Sequence, residues 1–262
     1  MKKNNVFWRF VFGAGVVCAF LPLMGAWEEG IRANESIQGY EKAVESLNEA
    51  SIDENWQLLE AYNESLRSNL SWMEYEKVKE RFLPSDIIGY LSIPSIEVRL
   101  PIFLGSEEEH LKEGVGHVAR SSLPVGGVSS RALLTGHSGL ANGRLFSRLD
   151  ELERGDFFLI NVLGRELAYQ VERTEMILPQ EVERLNIEEG RDLVSLITCA
   201  PFGINTHRLI VTGERVEEEK RAILLEREVV KVPSWRALVL SYGPIGLSIV
   251  FGWMWMKGRK KG

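Results

Sequence analysis

The chain has 262 residues, with 31 Lys and Arg against 37 Asp and Glu for a net charge of −6, a length that suits one domain of ordinary size plus extra segments. The acidic balance argues against nucleic acid as a partner. With Cys18 inside an apolar N-terminal run, the one remaining thiol, Cys199, cannot staple the domain, and four histidines (His110, His117, His137, His207) show no ligand spacing, so we expect a hydrophobic core with no metal and no cofactor.

Residues 1–9 open on Met1-Lys2-Lys3 and end on Arg9, and residues 10–27 carry no charge. That apolar run approaches the ~20 residues needed to span hydrocarbon. Leu23 and Met24 are bulky, and no small-x-small cleavage site precedes Glu28-Glu29, which favours an uncleaved anchor with Cys18 packed inside it. Residues 28–84 are rich in Glu, Ala, Leu, Lys and Asn, with no proline between Ile31 and Leu83. Leu47, Leu58, Leu59, Tyr62 and Leu66 recur at helical spacing. This membrane-proximal helical segment reads either as a stalk or as a lid-like appendage folded back over the active site, and composition favours the stalk.

From residue 85 the periodicity changes. Short β-like runs occupy Ile87 to Ile93, Ile96 to Phe103, Arg131 to Thr135, Phe157 to Val162, Leu167 to Ile177, Leu193 to Cys199 and Leu209 to Arg215, with another near Gly116-His117-Val118. Glycines and prolines separate them. About eight short strands hide their edges best in a closed β-barrel, here over residues 85–216. Short helices fit at Glu107 to Lys112, Leu145 to Leu149 and Glu181 to Leu185. A linker over 217–236 leads to a second uncharged run, 237–256, and a basic tail, 257–262. Positive residues lie outside both apolar runs, so the expected topology is two-pass, with both ends cytoplasmic and the domain between them extracytoplasmic.

The candidate chemistry sits at strand ends. Cys199 closes an apolar run, Pro201, Gly203 and Asn205 punctuate a turn, and Arg208 opens the next run. If those strands are neighbours, the guanidinium returns to the thiol and favours its thiolate form. The missing base is one of four histidines. His137, in Leu133-Leu134-Thr135-Gly136-His137-Ser138-Gly139, repeats the strand-end placement of Cys199. His117 is a weaker candidate, His110 lies in a polar helical run that suggests solvation, and His207 more naturally shapes the loop.

These residues resemble the sortases, cysteine transpeptidases of Gram-positive cell envelopes. The resemblance extends from about Asp86 to Arg215. It is carried by Thr198-Cys199, by Thr135-Gly136-His137, by Gly114-Val115-Gly116-His117, by Ser122-Leu123-Pro124-Val125-Gly126-Gly127 and by Pro201-Phe202-Gly203-Ile204-Asn205-Thr206-His207-Arg208. With the second apolar run, it is closest to the class C, pilin-polymerising branch. The resemblance implies an eight-stranded sortase barrel with Cys199 as nucleophile, His137 as acid/base and Arg208 as electrostatic stabiliser. It further implies an LPxTG-like sorting signal, borne by a pilin or surface protein, cleaved between Thr and Gly. The acyl group would pass through a thioacyl-enzyme to an amine, from a pilin lysine in class C relatives or a peptidoglycan precursor in housekeeping ones. A hydrolytic thiol protease is the rival outside the transpeptidases. Two departures stand out. The Asp-Pro-aromatic lid motif of many class C members is missing, Trp72 being the nearest aromatic, and Ser138 follows His137 where relatives often carry arginine.

Overall fold

The computed structural model describes residues 13, 15, 30–66, 71–82, 85–138, 145–201, 203–226, 243 and 246. Apart from four isolated positions, the apolar runs 10–27 and 237–256 lie outside the described residues. Among those described, no helix is long and apolar enough to cross a membrane. Residues 29–229 form one unit.

Eight strands form there: β1 (Ile87–Ile93), β2 (Val98–Leu104), β3 (Val115–His117), β4 (Ser130–Thr135), β5 (Phe157–Val162), β6 (Arg165–Ile177), β7 (Asp192–Ala200) and β8 (His207–Arg215). They close in the order β1-β2-β3-β4-β7-β8-β6-β5, with β5 pairing back onto β1. Most neighbours are antiparallel, but β2 with β3 and β4 with β7 run parallel. Closure removes the exposed edges that so many short strands would otherwise leave.

Alternate residues fill the interior. Leu91, Ile102, Leu134, Phe158, Tyr169, Leu196 and Val211 belong to one buried cluster, with Phe158 and Tyr169 stacked at 5.6 Å. Their odd-numbered neighbours on β4 and β7 therefore face outward, because strand side chains alternate with a period of two. A short helix, α4 (Glu108–Glu113), precedes β3. Of the other short helices expected, the one at Glu181 to Leu185 is a 3-10 turn at Val182–Leu185, and the one at Leu145 to Leu149 is displaced to a 3-10 turn at Leu149–Glu151. The tighter i→i+3 bonds of a 3-10 turn suit such short pieces. Part of the expected linker 217–236 is also helical, as α5 (Glu218–Glu226), tied to the barrel by Arg221 and Glu166 at 2.6 Å.

The helical segment before the barrel is not a stalk. A helix over 30–45 (α1), α2 (Glu49–Ser65) and α3 (Ser71–Phe82) pack on the barrel, and Leu59, Tyr62, Tyr75 and Val78 join its core cluster. Their polar tips reach backbone and side chains of the barrel. The buried Tyr40 hydroxyl donates to the Ile88 carbonyl and accepts from the Leu163 N–H, both at 2.7 Å. Asn63 accepts from Leu123 N–H at 2.7 Å and donates to its carbonyl at 3.1 Å. Arg165 lies over the Trp56 ring and pairs with Asp53. Composition reports that the segment is helical, but partner choice depends on where the barrel places its unpaired groups.

Candidate active site

The β4–β7 ladder pairs Thr135 with Ile197 and continues through a 3.0 Å hydrogen bond from Gly136 N–H to the Ile197 carbonyl. Two residues beyond this pair stand Cys199, on the outward side of β7 by alternation, and His137, just past the end of β4. On the other flank of β7, Cys199 pairs directly with Arg208 of β8. Adjacent strands lie about 4.8 Å apart. Imidazole, thiol and guanidinium thus arise from one lateral row across β4, β7 and β8, with Cys199 in the middle, on the outer wall near one rim. The three residues singled out from the sequence are brought together, although the chain separates the first from the last by some seventy positions.

Local chemistry explains the row's neighbours. Inside the wall, Thr198 donates its hydroxyl to the Gly136 carbonyl at 2.8 Å. A Cβ at Gly136 would come to 3.0 Å from the buried Phe146 ring, so any larger residue there requires the ring to shift beside His137. After β7 the turn needs left-handed backbone, which Gly203 (φ +78°) and Asn205 (φ +59°) supply.

Cys199 is a free, half-buried thiol. Arg208 donates through Nη1 to the carbonyls of Asn205 (3.2 Å) and His207 (3.0 Å) and has no carboxylate partner among the described residues. Its positive charge is therefore not neutralised beside the thiol's strand. The next row down is apolar. Ile177, Ile197 and Ile210 form a buried cluster flanked by Leu133 and Leu185, a hydrophobic floor beneath the thiol.

The wall of this floor is the 178–191 connection between β6 and β7, and a buried cation fastens it. Arg131, 1% exposed, donates to Ser195 Oγ (3.0 Å), to Thr212 Oγ1 (3.3 Å) and to the wall carbonyls of Arg184 (2.9 Å) and Asn186 (3.2 Å). Burial, and then repulsion from Arg173, pull its pKa below the ordinary value against the pull of Glu188. Sequence reasoning missed Arg131, although an arginine inside an apolar strand was a visible signal.

The other histidines do not reach the row. His117 is fully buried on β3. Its Nε2 faces the Ser122 carbonyl (3.0 Å) and Ser121 Oγ (3.1 Å), while Nδ1 faces the Tyr75 hydroxyl of α3 at 3.2 Å. Burial lowers its pKa to about 4. His110, expected to be solvated, is partly buried and stacks on Phe103 at 4.7 Å, with Glu107 at 3.2 Å and Asp86 at 3.8 Å. The apolar face of β2 recruits its ring. His207 touches the Thr206 hydroxyl at 2.9 Å. The Trp72 side chain lies outside what the structure describes. Among the described residues no group of three or more His, Cys, Asp or Glu is placed to hold a metal ion.

Comparison with known proteins agrees with this geometry. The family model described as Sortase domain matches residues 91–216. Sortase D of Bacillus subtilis is 30% identical over 131 residues, spanning 49% of this chain and 63% of that relative, so the chain spans less than two thirds of the curated relative's length. The solved structure of sortase C1 from Streptococcus agalactiae superposes with a TM-score of 0.67 at 34% identity, covering 70% of this chain and 98% of that one. Sortase C of Clostridium perfringens, solved with the C-terminal cell wall sorting motif, gives a TM-score of 0.61 at 36% identity, covering 71% of this chain and all of that one. Barrel order, outward-facing row and these similarities together place the chain in the sortase family.

Proposed function

We propose that this sortase-family chain is a cysteine transpeptidase that cleaves an LPxTG-like sorting signal and joins the freed acyl group to an amine, a pilin lysine in the reading we favour. The carrying observation is the lateral row of His137, Cys199 and Arg208 over an apolar floor. The thiolate of Cys199 attacks the Thr carbonyl carbon and forms a tetrahedral oxyanion. Arg208 offsets that charge or holds the substrate backbone. As the C–N bond breaks, His137 in its imidazolium form gives its proton to the departing glycine amine, leaving a thioester on Cys199 and a neutral imidazole. The acceptor amine then attacks the thioester, His137 takes up its proton, and collapse of the second intermediate releases the new amide and restores the thiolate.

The class C branch is supported by the structural likeness to sortases C and by the second apolar run. Membrane attachment through residues 10–27 and 237–256, with the barrel outside, is supported by their lack of charge and by the basic residues beyond them. Incubating the protein with an LPxTG-like peptide and weighing the intact chain tests the reading. Cys199 should gain the mass of the acyl fragment, and adding a lysine-bearing pilin domain should discharge it to an isopeptide product. Discharge to a peptidoglycan-precursor amine instead would mark a housekeeping enzyme. Release of free acid despite abundant amine would mark a protease.

A further inference from the structure

We infer that Glu108 is a positioning residue for His137, a carboxylate that holds the imidazole with Nε2–H turned away from the thiol and Nδ1 left for proton transfer. This deepens the transpeptidase reading and rests on it for its kinetic consequences.

The His137 Nε2 atom is buried and has no hydrogen-bond partner among the described residues. A buried ring nitrogen without a partner is costly, so the charged neighbour the structure gives it matters. That neighbour is Glu108 Oε2 at 3.4 Å, too long for a good hydrogen bond, and a small rotation of an exposed side chain closes it. Among the described residues Glu108 makes no hydrogen bond and no second ion pair, and its side chain is 62% exposed. It is therefore free to serve the histidine.

The neighbouring carboxylates are occupied or turned elsewhere. Glu107 faces His110 at 3.2 Å and Lys79 of α3 at 3.6 Å, contacts that seat the first turn of α4 against the packed helices. Glu109 and Lys112 share α4 with Glu108. Among the described barrel residues, Cys199 on β7 is the titratable group one strand away, with Arg208 beyond it on β8. A carboxylate on the Nε2 side has two effects. It sets the tautomer, and it fixes the ring direction.

The test uses the full chain with ¹⁵N-labelled histidine, each ring assigned by single His→Gln variants. In the wild type the neutral His137 ring should carry its proton on Nε2, and Glu108→Gln should shift it toward a mixture of tautomers. In acylation by an LPxTG-like peptide, Glu108→Gln should lower kcat about 10- to 100-fold with KM within about twofold. Glu108→Asp should recover part of the rate, and the thermal midpoint should not move. Unchanged tautomer populations in Glu108→Gln would overturn the inference. A wild type that ignores every sorting peptide yet shows the Glu108-dependent tautomer would instead count against the transpeptidase reading and leave the positioning role standing.

Discussion

Acid should loosen the clasp between α3 and the barrel, and His117 should be the group responsible. In the folded protein its pKa lies near 4, lowered chiefly by complete burial and only partly restored by the Ser122 and Ser121 backbone contacts. In the unfolded chain an ordinary imidazole titrates near 6.5. The folded pKa is the lower of the two, so the unfolded chain binds the extra proton first. Stability is therefore full above about pH 6.5 and falls as pH drops toward 4. The 2.5-unit gap corresponds to a limiting loss of about 3 kcal/mol, of which about 2 kcal/mol should already be gone at pH 5. The structural reason is specific. A protonated ring carries N–H on both nitrogens, so Nδ1 can no longer accept from the Tyr75 hydroxyl 3.2 Å away. Urea titrations at pH 7.5, 6, 5 and 4.5, run in parallel on the wild type and on His117→Asn, isolate this group, because the remaining carboxylates titrate in both. The wild type should lose stability relative to the variant through that window. A constant difference between the two across pH would refute the account.

Two further substitutions probe the wall that carries the candidate site. Gly136→Ala forces a methyl to within 3.0 Å of the Phe146 ring, so it should cost about 1–3 kcal/mol in denaturant melts and should lower Cys199 acylation by displacing His137; wild-type values on both measures would contradict the packing argument. Arg131→Met removes the donors held by Ser195, Thr212 and the carbonyls of Arg184 and Asn186. It should cost about 3 kcal/mol or more and open residues 178–191 to limited proteolysis, whereas an unchanged cleavage pattern would show that the wall is fastened elsewhere.

Much of the barrel was legible because its signals are local. Residues 87–93 and 157–162 form strands with the ends read from the sequence, since alternation, β-branched residues and flanking turn residues act over a few positions. Cys199, Arg208 and His137 were likewise visible as reactive types at strand ends. Glu108 was not, because one acid in a Glu-Glu-Glu run looks like a solvated helix face until the fold sets it beside an imidazole.

The amino-acid order alone determined that the chain makes short strands punctuated by glycines and prolines, with a thiol and a guanidinium bracketing one turn. Tertiary structure decided everything that depends on which strand lies beside which. The parallel pairing of β4 with β7 brings His137 level with Cys199, and Arg131 fastens a distant connection beside them. The helices over 30–82 lie on the barrel rather than apart from it. Such contacts join residues tens of positions apart, and their energy comes from burial and from hydrogen-bond partners that exist only once the barrel has closed.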